Sequence, residues 1–249
     1  MNRLSIGLLS VGLVTGCGAA DDTAWEGEDV ADVGDTATVE SPITRLRTDV
    51  GVIPNDEGEC PGETIGLALD NEDDDNQNKR EGWIGATESG RNTTFWFCRV
   101  DGTQFRPVRS TDNNAHTYAV LSLGDTCPVG SARARRYFDN EDDDDVSRSG
   151  SDAMLPNEWM SENLMMHFCV FKPTSTGANS PFPALGFSYG VFGGDTLPGV
   201  GSDDDGWVKT DDEDHDNNNH YYHCSGDCGA RTFISLGSSS TWLFMARVR

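Results

Sequence analysis

The sequence predicts an all-β domain, a pseudo-threefold closed repeat resembling a β-prism or trefoil in which the N-terminal strand completes the last repeat. Three observations predict it: a block of strand, turn and Cys-Pro recurs along the chain, the apolar runs are short and rich in Val, Phe, Trp, Tyr and Thr, and six cysteines follow position 17.

The blocks come in order. Asp49-Val-Gly-Val-Ile-Pro leads through an acidic turn to Cys60-Pro-Gly-Glu; Tyr118-Ala-Val-Leu-Ser leads to Cys127-Pro-Val-Gly-Ser; Tyr189-Gly-Val-Phe leads to Leu197-Pro-Gly-Val-Gly-Ser. Each block is followed by an acidic loop and then by a second apolar strand: Thr94–Val100, Leu164–Phe171 and Thr241–Val248. Turn pairs such as Asp101-Gly102 and Gly193-Gly194 punctuate the runs. The stretch around Pro156 to Met166 is the one helix candidate. The third block stops after its second strand, while Thr48–Ile53 offers a matching segment at the start. The expected repeats are therefore 54–123, 124–194 and 195–249 plus 48–53, with ring closure leaving few sheet edges.

The cysteines follow the same logic. Cys60 with Cys98 and Cys127 with Cys169 hold equivalent places in the first two repeats, which leaves Cys224 to pair with Cys228. In the third repeat the equivalent positions carry Leu197 and either Met245 or Ala246, as loss of one whole bridge would leave them. Bridged cysteines imply an oxidising compartment.

The N-terminus points the same way. Met1-Asn2-Arg3, an apolar run from Leu4 to Val14 and Val14-Thr15-Gly16-Cys17 have the form of an export signal, too short to span a bilayer, where about 20 apolar residues are needed. The cysteine after small residues resembles the lipobox of bacterial lipoproteins. That resemblance implies cleavage after a signal peptide of residues 1–16, a diacylglycerol on Cys17 and anchoring to a membrane through lipid alone. Gly18 after it is similar to lipoproteins sent on to the outer membrane or cell surface. Residues 17–47 are acidic and poor in apolar side chains, so they read as a flexible tether, and 48–249 as a single three-repeat domain.

With 42 acidic against 18 basic residues and a net charge of −24, the chain is no electrostatic binder of nucleic acid. The acid is concentrated in three aligned loops that share four carboxylates each. These are Asp70, Glu72, Asp73 and Asp75; Asp139, Glu141, Asp142 and Asp144; and Asp211, Glu213, Asp214 and Asp216. Hard oxygen ligands at such spacing suit Ca²⁺, the expected cofactor. The loops are not EF-hands: Asp75 stands where a glycine is needed, and Gly150 and Tyr222 stand where the twelfth-position Glu would be. Two competing readings are a solvated loop that keeps the domain soluble, and neutralisation by Arg80, Arg135, Arg136 and Arg148.

Other patterns are weaker. Gly186-Phe-Ser188-Tyr-Gly190 spells a nucleophile elbow but enters a strand, and Pro198 forbids a following helix. His215, His220, His223 and Cys224 have zinc-ligand chemistry, against which stands the bridge from Cys224 to Cys228; His116 and His167 are lone histidines. Trp83, Trp159 and Trp207 flank the acidic loops and are candidates for a sugar-stacking platform, whereas Trp96 and Trp242 sit inside the most apolar strands and read as core. Together these features favour a non-enzymatic, Ca²⁺-dependent lectin- or adhesin-like lipoprotein whose partner is a glycan or surface protein. A structural envelope lipoprotein without a specific ligand is the alternative. A hydrolase acting on glycans through two carboxylates ranks third, because adjacent hydrated Asp residues lack the contrast of environments that an acid and a base require.

Overall fold

The structure is a computed structural model that describes residues 48–71, 77–111, 115–140, 156–160, 163–211 and 220–249. The expected export signal, Cys17 and the expected tether of residues 17–47 lie outside the described residues.

The described elements are strands, with two 3-10 turns at Glu57–Glu59 and Gly102–Gln104. In chain order the strands are β1 (Asp49–Pro54), β2 (Thr64–Leu69), β3 (Lys79–Gly82), β4 (Glu88–Ser89), β5 (Thr93–Asp101), β6 (Tyr118–Ser122) and β7 (Ala132–Phe138). They continue as β8 (Glu158–Met160), β9 (Asn163–Phe171), β10 (Tyr189–Phe192), β11 (Asp205–Asp211), β12 (Tyr221–Ser225), β13 (Ile234–Leu236) and β14 (Ser240–Val248). The domain is all-β.

Three strand triplets share one pairing scheme. An inner strand (β1, β6 or β10) pairs antiparallel with a middle strand (β5, β9 or β14), which pairs with an outer strand (β2, β7 or β11). The registers correspond: Val52 faces Cys98, Val120 faces Cys169 and Val191 faces Ala246, and further out Leu67 faces Phe95, Arg136 faces Met166 and Val208 faces Leu243. The three inner strands also pair with one another, β1 with β6 and β10, and β6 with β10. Buried on both faces, they read as continuous apolar runs and not as alternating ones.

Alternation along the middle and outer strands divides the core in two. Phe95, Phe97, Phe138, Met166, Phe168, Val208, Leu243 and Met245 belong to one cluster, with Phe192 from β10. Val50, Val52, Val120, Val191, Phe171 and Tyr189 form the other, against which both long-range bridges lie. Each fully buried Phe or Leu contributes about 1.5–3 kcal/mol relative to exposure, so the large aromatic and aliphatic side chains on the paired middle and outer strands dominate the fold.

Two segments link the triplets and zip to each other through parallel bridges, Val108 to Ala178 and Arg109 to Thr174. Gly177 sits where a Cβ would lie 2.4 Å from the carbonyl oxygen of Val108, so this close approach of two backbones requires glycine. The hydroxyls of Tyr118 and Tyr189, equivalent residues of β6 and β10, donate to the carbonyls of Arg106 and Pro183 in these linkers. Burial pushes both phenols above their ordinary pKa, which keeps them protonated as donors.

Two expectations are corrected. The stretch around Pro156 to Met166 is not a helix but β8 and the start of β9, with Trp159 facing Leu164 and Met160 facing Asn163. Leu164 and Met166 alternate inward against Phe138 and Arg136, and this burial at period two overrides the helix preference of Met, Leu and Glu. Nor does the N-terminal strand complete the last repeat in a closed ring: β1 pairs with β5, β6 and β10, and β10 separates it from β14. Each triplet carries its own inner strand, and the sheet is open, its path running from β12 at one end to β3 at the other.

Candidate functional site

The three acidic loops start from equivalent points. Asp70, Asp139 and Asp211 each lie at the C-terminal end of the outer strand of their triplet, only 3%, 1% and 4% exposed. The amide of Asn71 donates to Oδ1 of Asn92, and the amide of Asn140 donates to Oδ1 of Asn163, so the first two loops are pinned by the same clip to the residue at the start of the returning strand. In the third triplet the residue equivalent to Asn71 and Asn140 lies outside the described residues; at Asp211 itself Oδ2 accepts from the amide of Gln77, and the amide donates to Oδ1 of Asn78. Asn71 reaches across to the carbonyl of Asp211, joining the base of the first loop to that of the third.

The remaining nine carboxylates of the expected calcium set, Glu72, Asp73, Asp75, Glu141, Asp142, Asp144, Glu213, Asp214 and Asp216, lie outside the described residues. Among the described residues no three His, Cys, Asp or Glu side chains group as a metal site. His215 also lies outside the described residues, and Cys224 is bridged to Cys228, which removes its thiolate from any zinc set. All three disulfides have the expected partners: Cys60–Cys98, Cys127–Cys169 and Cys224–Cys228. In the third triplet Leu197 and Ala246 are both buried in the cluster that holds the two long-range bridges. Register assigns the equivalence to Ala246 and not to Met245.

The arginines near the loops divide. Arg80 is exposed on β3. Arg135 points to the outer face, and Arg136 points inward, fully buried where the other triplets have Leu67 and Val208. Its Nη2 donates to Oγ1 of Thr241 at 2.6 Å, and its guanidinium lies 5.4 Å from the Phe138 ring centroid. Arg148 is outside the described residues.

The outer faces of the triplets differ more than their cores. At matching register the outward pairs are Gly66 with Trp96, Arg135 with His167, and Trp207 with Phe244. Trp96 lies over Gly66, where a Cβ would come within 2.6 Å of the indole, and its Nε1 donates to Glu88. In the third triplet the next outward pair is Lys209 with Trp242, the ammonium 5.3 Å from the ring centroid and donating to Oε1 of Gln77. Trp207, Trp242 and Phe244 therefore share one half-buried face.

Residues 37–153 match the family model described as Bacterial ApeC (ApeC_bac). The match takes in somewhat less than half of the chain, and its described part runs from β1 through β7 and ends at the base of the second acidic loop. No curated protein and no solved structure matches.

Of the three platform tryptophans, Trp83 and Trp207 lie near each other: Trp207 faces Glu81, and the amide of Trp83 donates to the carbonyl of Asp205. Trp83 is half-buried against the core, its ring over Gly190 and its Nε1 donating to Asn55. Trp159 is in β8 of the second triplet, away from that pair in the strand order. Ser188 is exposed and leads into β10, the strand expected of it. Trp96 and Trp242, expected in the core, are half-buried on outer faces, because strand alternation sends Phe95, Phe97, Leu243 and Met245 inward instead. The sequence reading missed the Asn71–Asn92 and Asn140–Asn163 clips; the repeated Asp-Asn at 70–71 and 139–140 was the signal for them.

Proposed function

We propose that the chain is an exported, lipid-anchored bacterial envelope protein whose β domain is a lectin- or adhesin-like binding module, with the three triplets forming a pseudo-threefold, prism-like unit. The observation that carries this reading is the outer face of β11 and β14, where Trp207, Trp242 and Phe244 stand on one surface beside Lys209. Aromatic side chains half-buried on a flat sheet offer rigid apolar area with little entropy to lose, the chemistry that matches the apolar face of a pyranose. Cys17 supplies the membrane partner, a glycan or surface protein is the ligand, and the net charge of −24 disfavours nucleic acid.

Calcium belongs to the same proposal. Equivalent placement of Asp70, Asp139 and Asp211 supports three like loops, and Ca²⁺ would neutralise the carboxylates that follow them. The alternative, an envelope protein whose loops serve only solubility, draws support from the structural hydrogen bond that Asp211 already makes with Gln77.

A glycan array probed with the full chain, with and without chelator, tests the reading. The expected result is retention of a defined set of glycans, with Trp207→Ala and Trp242→Ala each weakening it tenfold or more and chelator weakening it further. No retention, or retention unchanged in both variants, overturns it.

A further inference from the structure

We propose that the outer face of β7, β9 and β12 is a second binding site, one that takes a single sugar-borne carboxylate. β12 comes from the third repeat but adds to the outer strand of the second, and this crossing builds the surface. Register lines up His223, Arg135 and His167 in one row across the three strands, with Tyr221 and Tyr137 in the next row and Arg133 two residues from Arg135. Adjacent strands are about 4.8 Å apart, so the row from His223 to His167 spans about 10 Å, the reach of a disaccharide, with Arg135 at its centre.

The arrangement is ordered before any ligand arrives. Tyr137 and Tyr221 stack with centroids 5.3 Å apart and planes at 11°, and the guanidinium of Arg135 lies 5.8 Å from the Tyr221 centroid. Arg133 is held by the carbonyl of Gly124 and by Oγ of Ser122, and the charge of Asp125 favours its charged form. Arg135 forms no ion pair among the described residues. His167 is kept neutral by burial, with Arg133 and Arg135 adding to the effect; its pKa falls to about 4, so near neutral pH it offers hydrogen bonds and no charge.

Charge decides the ligand class. A fork of N–H groups matches a carboxylate in two places, whereas the net charge of −24 repels an extended polyanion before it reaches contact. The face is rich in donors, and its stacked aromatic surface is confined to the Tyr137–Tyr221 pair, far less than a stable interface between two copies buries, which favours a saccharide over a second copy of the chain. The site is remote in strand order from Trp207 and Trp242, so it stands or fails separately from the face that carries the proposed function.

Calorimetry of the full chain at physiological salt, with a disaccharide ending in glucuronate and its glucose-ended counterpart, is the test. The acidic sugar should bind about tenfold or more tightly than the neutral one. Arg135→Ala should abolish that preference with an unchanged melting temperature, Arg135→Lys should restore part of it, and Trp207→Ala should leave it intact. Equal affinity for the two sugars, an unaffected Arg135→Ala variant, tighter binding of heparin than of the single acid, or self-association that Arg135→Ala removes would each overturn the proposal.

Discussion

The second and third triplets answer the same packing problem in different ways. Where inner and middle strands meet, the second carries the Cys127–Cys169 bridge and the third carries Leu197 and Ala246, all set in one apolar cluster. A bridge acts chiefly on the unfolded chain, by removing its freedom, whereas a buried leucine acts through the folded state by leaving water and filling space. Strand geometry is preserved under both, which says that the register is set by the alternating core and that the covalent link adds stability to a geometry already specified.

This comparison is broken most directly by removing the bridge. With 42 residues separating the cysteines, Cys127→Ala with Cys169→Ala should cost about 3–4 kcal/mol, while Leu197→Ala should cost about 2–4 kcal/mol through a cavity. Urea denaturation separates the mechanisms. Loss of the bridge should also raise the slope with denaturant, because the freed unfolded chain exposes more surface, and Leu197→Ala should shift the midpoint at constant slope. Equal slopes in all three proteins would show that the bridge acts in the folded state.

Much of this was legible in the sequence, and the parts that were not share a cause. The bridges and the three equivalent loop bases follow from aligned residues, because identity at matched positions survives whatever the chain does around them. The N-terminal strand was misassigned because its apolar pattern suits any neighbour, and only hydrogen bonding shows that Val52 faces Cys98 in its own triplet. The stretch around Pro156 to Met166 reads as a helix candidate since propensity is local, while the burial of Leu164 and Met166 against Phe138 and Arg136 is not. The β7–β9–β12 face was invisible because it joins Tyr221 and His223 to Arg135 across almost ninety residues.

A smaller effect distinguishes the outer faces. At one register position the first and third triplets have Trp96 and Phe244, which do not titrate, and the second has His167. Its pKa is about 4 in the folded protein against about 6.5 unfolded, so between these values the unfolded chain binds the extra proton. Stability contributed this way is complete above pH of about 6.5 and is lost as pH falls toward about 4. His167→Gln should flatten the dependence of the unfolding free energy on pH within that window relative to the parent chain. The comparison with the parent matters because many carboxylates titrate at its acid end. Parallel curves for the two proteins would mean that His167 is not held neutral.

The smallest effect concerns the loop bases, where the first two triplets agree. Asn92 and Asn163 each accept the amide of the residue after the strand-ending Asp, at 2.9 and 2.6 Å. Removing either acceptor leaves a buried amide without that bond, so Asn92→Ala and Asn163→Ala should each cost about 1–2 kcal/mol. If the clips are one device used twice, the two losses agree within about 0.5 kcal/mol and add in the double variant, because separate sites without shared partners do not couple. A cost confined to one of them, measured by thermal or urea unfolding, would mean that the two loops are anchored by different interactions despite their matching sequence.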